Sequence, residues 1–135
     1  MVLDCSTALA WCFPDEKADY PLAVLDSLGS GGAFVPSIWP LEVANALLVG
    51  ERRNRCTQAD TIAWTGFLPL LPITVDGETT RRAWGDVLTL ARSQGLSVYD
   101  ATYLELAVRL GLPLATLDDK LNAAAARIGV TVHSA

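Results

Sequence analysis

Short charge-free runs punctuate this chain, and helical segments separate them. The runs are MVL at 1–3, AFVP at 33–36, PITV at 72–75, PLATL at 113–117 and VTV at 130–132. Each reads as a short buried strand. Between them lie helical patterns. CSTALAWCF at 5–13 is ended by Pro14, and a second helix covers 19–28 before a flexible GSGG turn at 29–32. SIWPLEVANALLVGERR carries Pro40 in its first turn, and Ile38, Leu41, Ala44 and Leu48 recur at helical spacing as its expected core face. TQADTIAWTGFLPLL starts at Thr57 as N-cap, and DGETTRRAWGDVLTLARSQG runs to Gly95. SVYDATYLELAVRLG stops at Gly111, and DDKLNAAAARIG follows the fourth strand. Strands alternating with helices predict an α/β sandwich around a mostly parallel sheet. With no internal repeat and no linker, residues 1–135 are expected to form a single domain, a suitable length for one core.

Composition narrows the function. Hydrophobic residues make up 51% and charged residues 19%, which excludes a disordered chain. The net charge of −5 argues against a nucleic-acid binder that works through its own basic surface. Any such role must bring in positive charge another way, for instance as a bound metal ion. Cys5, Cys12 and Cys56 are odd in number and match no zinc spacing, so they read as small buried hydrophobes in a reducing cytosol. No basic segment precedes the first apolar run, so no signal peptide is expected. TIAWTGFLPLLPITV is too short to span a bilayer and contains Pro69 and Pro72. A soluble, cytoplasmic protein with no membrane association is expected.

Four acidic residues stand apart from the other charges. Asp4 is the only charge in MVLDCSTALAWCFP, Glu42 in AFVPSIWPLEVANALLVG and Asp100 in SQGLSVYDATYL. Asp118 follows the charge-free GLPLATL. By contrast, Asp15, Glu16 and Lys17 form an ordinary solvated patch. A carboxylate in an apolar segment is costly unless an arginine, backbone N–H groups or a cation compensates it. Hard divalent cations take oxygen ligands, and carboxylates are the usual protein donors. Asp4, Asp100 and Asp118 each precede a helix, where Asp is a favoured N-cap, so a purely structural role stands beside the chemical one. Glu42 lies inside the first turns of a helix, where its structural alternative is a dipole interaction. Asn45 shares a face with Glu42 and either orients a ligand or water, or is a satisfied core amide.

Taken together, VLDCS near the start, PLEVAN near 40, SVYDATYLELA near 100 and LATLDDKL near 116 resemble the PIN domain, and more narrowly a VapC-type toxin ribonuclease of toxin–antitoxin modules. The resemblance covers essentially the whole chain. It implies a three-layer α/β/α sandwich with the acids at the carboxyl ends of the strands. By motif, Asp4, Glu42, Asp100 and Asp118 match the four catalytic, metal-holding acids. Ser6 and Thr116 match small hydroxyl positions near the site, and Asn45 an amide there. LDDKL departs from the motif in carrying two adjacent acids, with Asp119 the expected helix cap. The resemblance further implies hydrolysis of RNA with Mg²⁺ or Mn²⁺, inhibition by a cognate VapB-like antitoxin, and a homodimer.

Other residues read less sharply. His133 is expected as an exposed surface residue. Arg52, Arg53 and Arg55 read first as cations at a helix C-terminus and second as phosphate contacts. Trp39, Trp64 and Phe67 are core by spacing, or else face a partner. An aspartate-nucleophile phosphatase would need a second Asp two residues after the first, where Ser6 stands. A serine hydrolase lacks G-x-S-x-G, and GSGG lacks the ending of a phosphate-binding loop. The remaining alternative is a non-catalytic PIN-like interaction module.

Overall fold

The chain begins in the middle of its sheet. In a computed structural model that describes residues 1–13 and 19–134, β1 (Val2–Leu3) lies between β2 (Ala33–Val35) and β4 (Leu114–Ala115), with β3 (Ile73–Val75) beyond β2. All pairings are parallel, so the sheet expected to be mostly parallel is entirely so. The expected helix stop at Pro14 and the charged patch at 15–17 lie outside the described residues. Val2, Leu3, Leu114 and Ala115 are fully buried, as strands covered on both faces must be. The expected last strand shrinks to a single parallel bridge, Leu114 to Val132.

Helices flank the sheet: α1 (Cys5–Cys12), α2 (Asp19–Gly31), α3 (Trp39–Arg52), α4 (Gln58–Phe67), α5 (Thr79–Arg82), α6 (Leu88–Gln94), α7 (Val98–Leu110) and α8 (Asp119–Arg127). The stretch expected as a GSGG turn belongs largely to α2, which runs on to Gly31. Only Gly32 turns, at φ +63°, and a Cβ there would meet the Pro72 carbonyl oxygen at 2.8 Å. Thr57 does cap α4, in a reciprocal capping box with Asp60. Gly95 and Gly111 end α6 and α7 in the left-handed conformation. The helix expected from 76 to 95 is broken: α5 and α6 are joined by a π-helical turn, Ala83–Val87. Trp84 in that turn is 94% exposed.

The expected core face of α3 is wrong. Leu41 and Leu48 are exposed, Ala44 is exposed and Ile38 is half-buried; the buried positions are Trp39, Val43, Leu47 and Gly50. Two apolar stripes run along this helix; the one containing Gly50 is buried, and at Gly50 the Phe13 ring packs against it. A Cβ at Gly50 would stand 2.9 Å from two ring atoms of Phe13. Trp39 is core, Trp64 is half-buried with its ring edge-on to Phe13, and Phe67 is exposed on a helix that buries no residue.

Away from the strand carboxyl ends of β1 and β4, an ion network fastens β3 to α7. Asp76 extends β3 by donating its N–H to Val35, and its carboxylate takes two hydrogen bonds from Arg109, at 2.7 and 3.2 Å. Arg109 also binds the buried Glu105 at 2.8 Å, and Arg82 approaches Glu105 at 3.6 Å. The Arg109 guanidinium holds the Asp76 carboxyl below the usual carboxylate range.

Two outcomes follow. Leu47→Ala should cost about 2–5 kcal/mol in denaturant unfolding while Leu41→Ala stays within about 0.5 kcal/mol; the reverse order would restore the other face of α3. Because the Asp76 pKa is depressed on folding, its contribution is present above the ordinary Asp value and lost as pH falls through the lower folded value. Asp76→Asn should therefore destabilise the protein at neutral pH, and the gap to wild type should close below about pH 4. Melting curves across pH check this.

Candidate active site

The strand order creates a switch point. From β1 the chain moves to β2 and β3 on one side, then returns to β4 on the other side of β1. Crevices open at the carboxyl ends of strands at such points. Asp4 immediately follows β1, and Thr116, Leu117 and Asp118 follow β4. The Asp4 N–H continues the ladder to the Ala115 carbonyl at 2.9 Å, so both strand ends are held in register where the acids begin.

Asp4 is 4% exposed and stands at the N-cap of α1, yet its side chain makes no capping hydrogen bond. Its Oδ2 instead accepts from Ser6 Oγ and from Thr116 Oγ1, each at 2.6 Å. Each hydroxyl has one proton. With both given to Asp4, the Ser6–Thr116 contact at 3.4 Å has no proton of its own. The hydroxyl oxygens accept in turn: Ser6 from the Leu117 N–H and Thr116 from the Asp118 N–H, both at 3.0 Å. Ser6 and Thr116 thus lock the Asp4 carboxylate across the β1–β4 junction.

The other acids arrive on three helices. Glu42 is in the first turn of α3, and its Oε1 accepts from the hydroxyl of Tyr103 at 2.5 Å. Tyr103 is fully buried, and burial pushes its own pKa far up, which keeps it a donor. Asp100 lies in the first turn of α7, whose N-cap is Ser97 rather than Asp100; the Ser97 hydroxyl accepts from the Asp100 N–H at 3.0 Å. Asp118 is the N-cap of α8, with Oδ1 accepting from the Leu121 N–H at 2.9 Å. The expectation that Asp119 caps this helix is therefore corrected: Asp118 is in the extended conformation a cap requires, and Asp119 is already helical. Asn45 is exposed, and its side chain makes no hydrogen bond among the described residues.

Electrostatics tie the four acids together. Desolvation raises the Glu42 pKa above the ordinary value, and the fields of Asp4 and Asp100 raise it further, against the lowering hydrogen bond from Tyr103. Desolvation likewise raises Asp100, as do Asp118 and Asp4, with Ser97 and Lys120 opposing. Among the described residues none of the four forms a salt bridge. Cys5, next to Asp4, is also pushed up by burial and by Asp4 and Glu42, so its thiol is inert.

The donor chemistry suits a hard divalent cation. Asp4 Oδ1, Glu42 Oε2 and Asp118 Oδ2 accept nothing from the described residues, while the second oxygen of each is fixed by the protein. Among the described residues, however, no three His, Cys, Asp or Glu side chains already stand together as a cage.

His133, expected to be exposed, is half-buried, and burial lowers its pKa. Its backbone bonds Leu114 and Tyr20, and its ring feels the N-terminal charge, so the C-terminal segment is tied to the outer edge of β4. Tyr103 and Ser97 were missed from sequence. Each had a signal: a Tyr hydroxyl in a buried helix must find a partner, and Ser97-x-x-Asp100 is a helix-start pattern.

The switch point of a parallel α/β sheet thus lies beside Asp4 and Asp118. Residues 1–127 match the PIN domain, and the chain belongs to that family, a nuclease superfamily whose members typically depend on divalent metal ions. Among solved structures, the crystal structure of PAE2754 from Pyrobaculum aerophilum is similar, with a TM-score of 0.67 and 25% identity, covering 91% of this chain and 77% of that one. Among curated proteins nothing matches. No helix of the described residues is long and apolar enough to cross a membrane.

Because the Glu42 and Asp100 pKa values are raised on folding, the folded protein binds more protons than the unfolded chain between the two values, so stability falls as pH rises through that window. In metal-free protein at neutral pH, Glu42→Gln and Asp100→Asn should each raise the melting temperature. Asp4→Ala should lower stability by about 1–3 kcal/mol, since it strands the buried Thr116 hydroxyl and the half-buried Ser6 hydroxyl. Thermal melts in chelator check both signs; destabilisation by all three would mean the acids serve folding alone.

Proposed function

We propose that this protein is a Mg²⁺- or Mn²⁺-dependent endoribonuclease of the VapC toxin type, a cytoplasmic single-domain protein restrained by a cognate VapB-like antitoxin. The observation that carries this reading is the shared field of Asp4, Glu42, Asp100 and Asp118 at one end of a parallel sheet, without a salt bridge to any of them among the described residues. PIN family membership supports a nuclease. Asp4, Glu42, Asp100 and Asp118 would hold the cation. When bound, such an ion polarises a phosphoryl oxygen and lowers the pKa of an attacking water. Ser6 and Thr116 fix the direction of Asp4, and Tyr103 that of Glu42, so that each presents a chosen oxygen. Asn45, exposed one turn beyond Glu42, is free to meet substrate.

The exposed apolar stripe Leu41, Ala44 and Leu48 on α3 supports the homodimer that such toxins form. The phosphatase alternative is weakened further by Ser6, whose hydroxyl is bound to Asp4 where that chemistry needs a second acid. A PIN-like interaction module without catalysis remains the contrasting reading.

Incubation with structured and circular RNA in Mn²⁺ or Mg²⁺ should give cleavage by wild type, including opening of the circle. Asp4→Asn and Asp100→Asn should lose at least about a hundred-fold in rate. Equal cleavage by all three would sink the site. An absence of cleavage, with Mn²⁺ binding no tighter than in Asp4→Asn, would favour the interaction module.

A further inference from the structure

A groove leaves the acid site along α1 and the C-terminal end of α3. Ser6 and Asp118 form its near end, and Arg53 and Arg55 its far end, enclosing about 400 Å³. That volume is in the range that small ligands fill, roughly 300–1,000 Å³. We infer that this groove seats one nucleotide of single-stranded RNA beside the bond to be cut, with Arg53 holding its phosphate. The inference rests on the nuclease reading above.

Continuity is the first argument. Ser6 lines the groove while its hydroxyl binds Asp4, and Asp118 belongs to both groove and acid site. A strand whose reacting phosphate lies at the acids must leave through one of the adjoining openings, and this one shares two residues with them.

Charge is the second. The chain is acidic, and most of its arginines outside this region are engaged: Arg81, Arg82 and Arg109 in salt bridges, Arg127 with Gln94. Arg53 is exposed, lines the groove and forms no salt bridge or side-chain hydrogen bond among the described residues. Asp118 at the other end is not within salt-bridge distance of it, so the groove separates a cation from the acids instead of neutralising them. An unspent guanidinium there suits an anion, and its planar fork suits phosphate.

Shape is the third. Leu9, Val49 and Leu117 give the groove apolar walls for a base. Its floor is preformed. Phe13 is pressed against Gly50, meets the Trp64 ring edge-on at 5.6 Å and lies 4.2 Å beneath the Arg55 guanidinium. Apolar walls with a cation at one end read the parts of a nucleotide in order, base and then phosphate.

The test is binding rather than turnover. In an Asp4→Asn background with Mg²⁺, anisotropy of a labelled mixed-sequence single-stranded RNA is titrated across salt concentrations. Arg53→Ala should weaken binding about ten-fold and flatten the log–log salt slope by about 0.7, the signature of one lost phosphate contact. Val49→Trp, which fills the groove, should weaken binding without changing the slope. Arg92→Ala, on the exposed end of α6, should match the parent. Melting curves verify that the variants are folded, and exposed Arg53 carries the decision should Val49→Trp not fold. If the parent binds RNA and Arg53→Ala matches it in affinity and slope, the assignment is overturned. If the parent binds no RNA, the nuclease reading fails and the inference with it.

Discussion

Two hydroxyl protons converge on one oxygen of Asp4, and the architecture of the site hangs on that point. β1 and β4 are each only two residues long, so the ladder between them is slight. What extends their union is the relay beyond the strands: Ser6 and Thr116 give their protons to Asp4 and take the N–H groups of Leu117 and Asp118. The relay has direction. The backbone N–H groups give to the hydroxyl oxygens, and the hydroxyls give to the carboxylate. It also fixes the start of α8, because Asp118 goes on to cap that helix. A single buried acid therefore organises the ends of two strands and the beginnings of two helices.

The acids were legible in the sequence because each is an anomaly in its surroundings. A lone carboxylate within an apolar run announces a cost that something must offset. The parallel sheet was legible for a similar reason, since its strands are short, charge-free and bounded by helices. Other features were hidden by degeneracy. α3 has two apolar stripes, and periodicity ranks neither; the choice depends on partners such as Phe13 that come from a distant part of the chain. LDDKL offered two adjacent caps, and only backbone conformation distinguishes Asp118 from Asp119. The π-helical turn between α5 and α6 has no sequence period of its own. His133 looked terminal and exposed, but its neighbours Leu114 and Tyr20 are remote in sequence.

Positive charge is distributed unevenly. Around Asp76 and Glu105, arginines are spent on holding α5 and α7 to the sheet edge, and the acids there are fully compensated. Around Asp4 the acids are left to one another and to neutral hydroxyl donors. The same residue types thus do opposite things at two places in one small fold. Where Asp76 meets the Arg109 guanidinium its proton affinity falls and it becomes structure; at Asp100 burial raises the proton affinity, and the neighbouring Asp118 and Asp4 raise it further. That contrast depends on burial and partners rather than on the acids themselves.

The contact between Gly50 and Phe13 has a historical consequence. A methyl group at position 50 would fall within 2.9 Å of the ring, and the Cys56 sulfur at 3.2 Å closes the other way out. Position 50 is not at liberty to gain a side chain while the Phe13 ring stays where it is. In homologous chains with a side chain at the place of Gly50, the ring at the place of Phe13 must shrink or the two helices must part. The two positions should therefore vary as a pair across the lineage, and glycine at one should accompany an aromatic at the other.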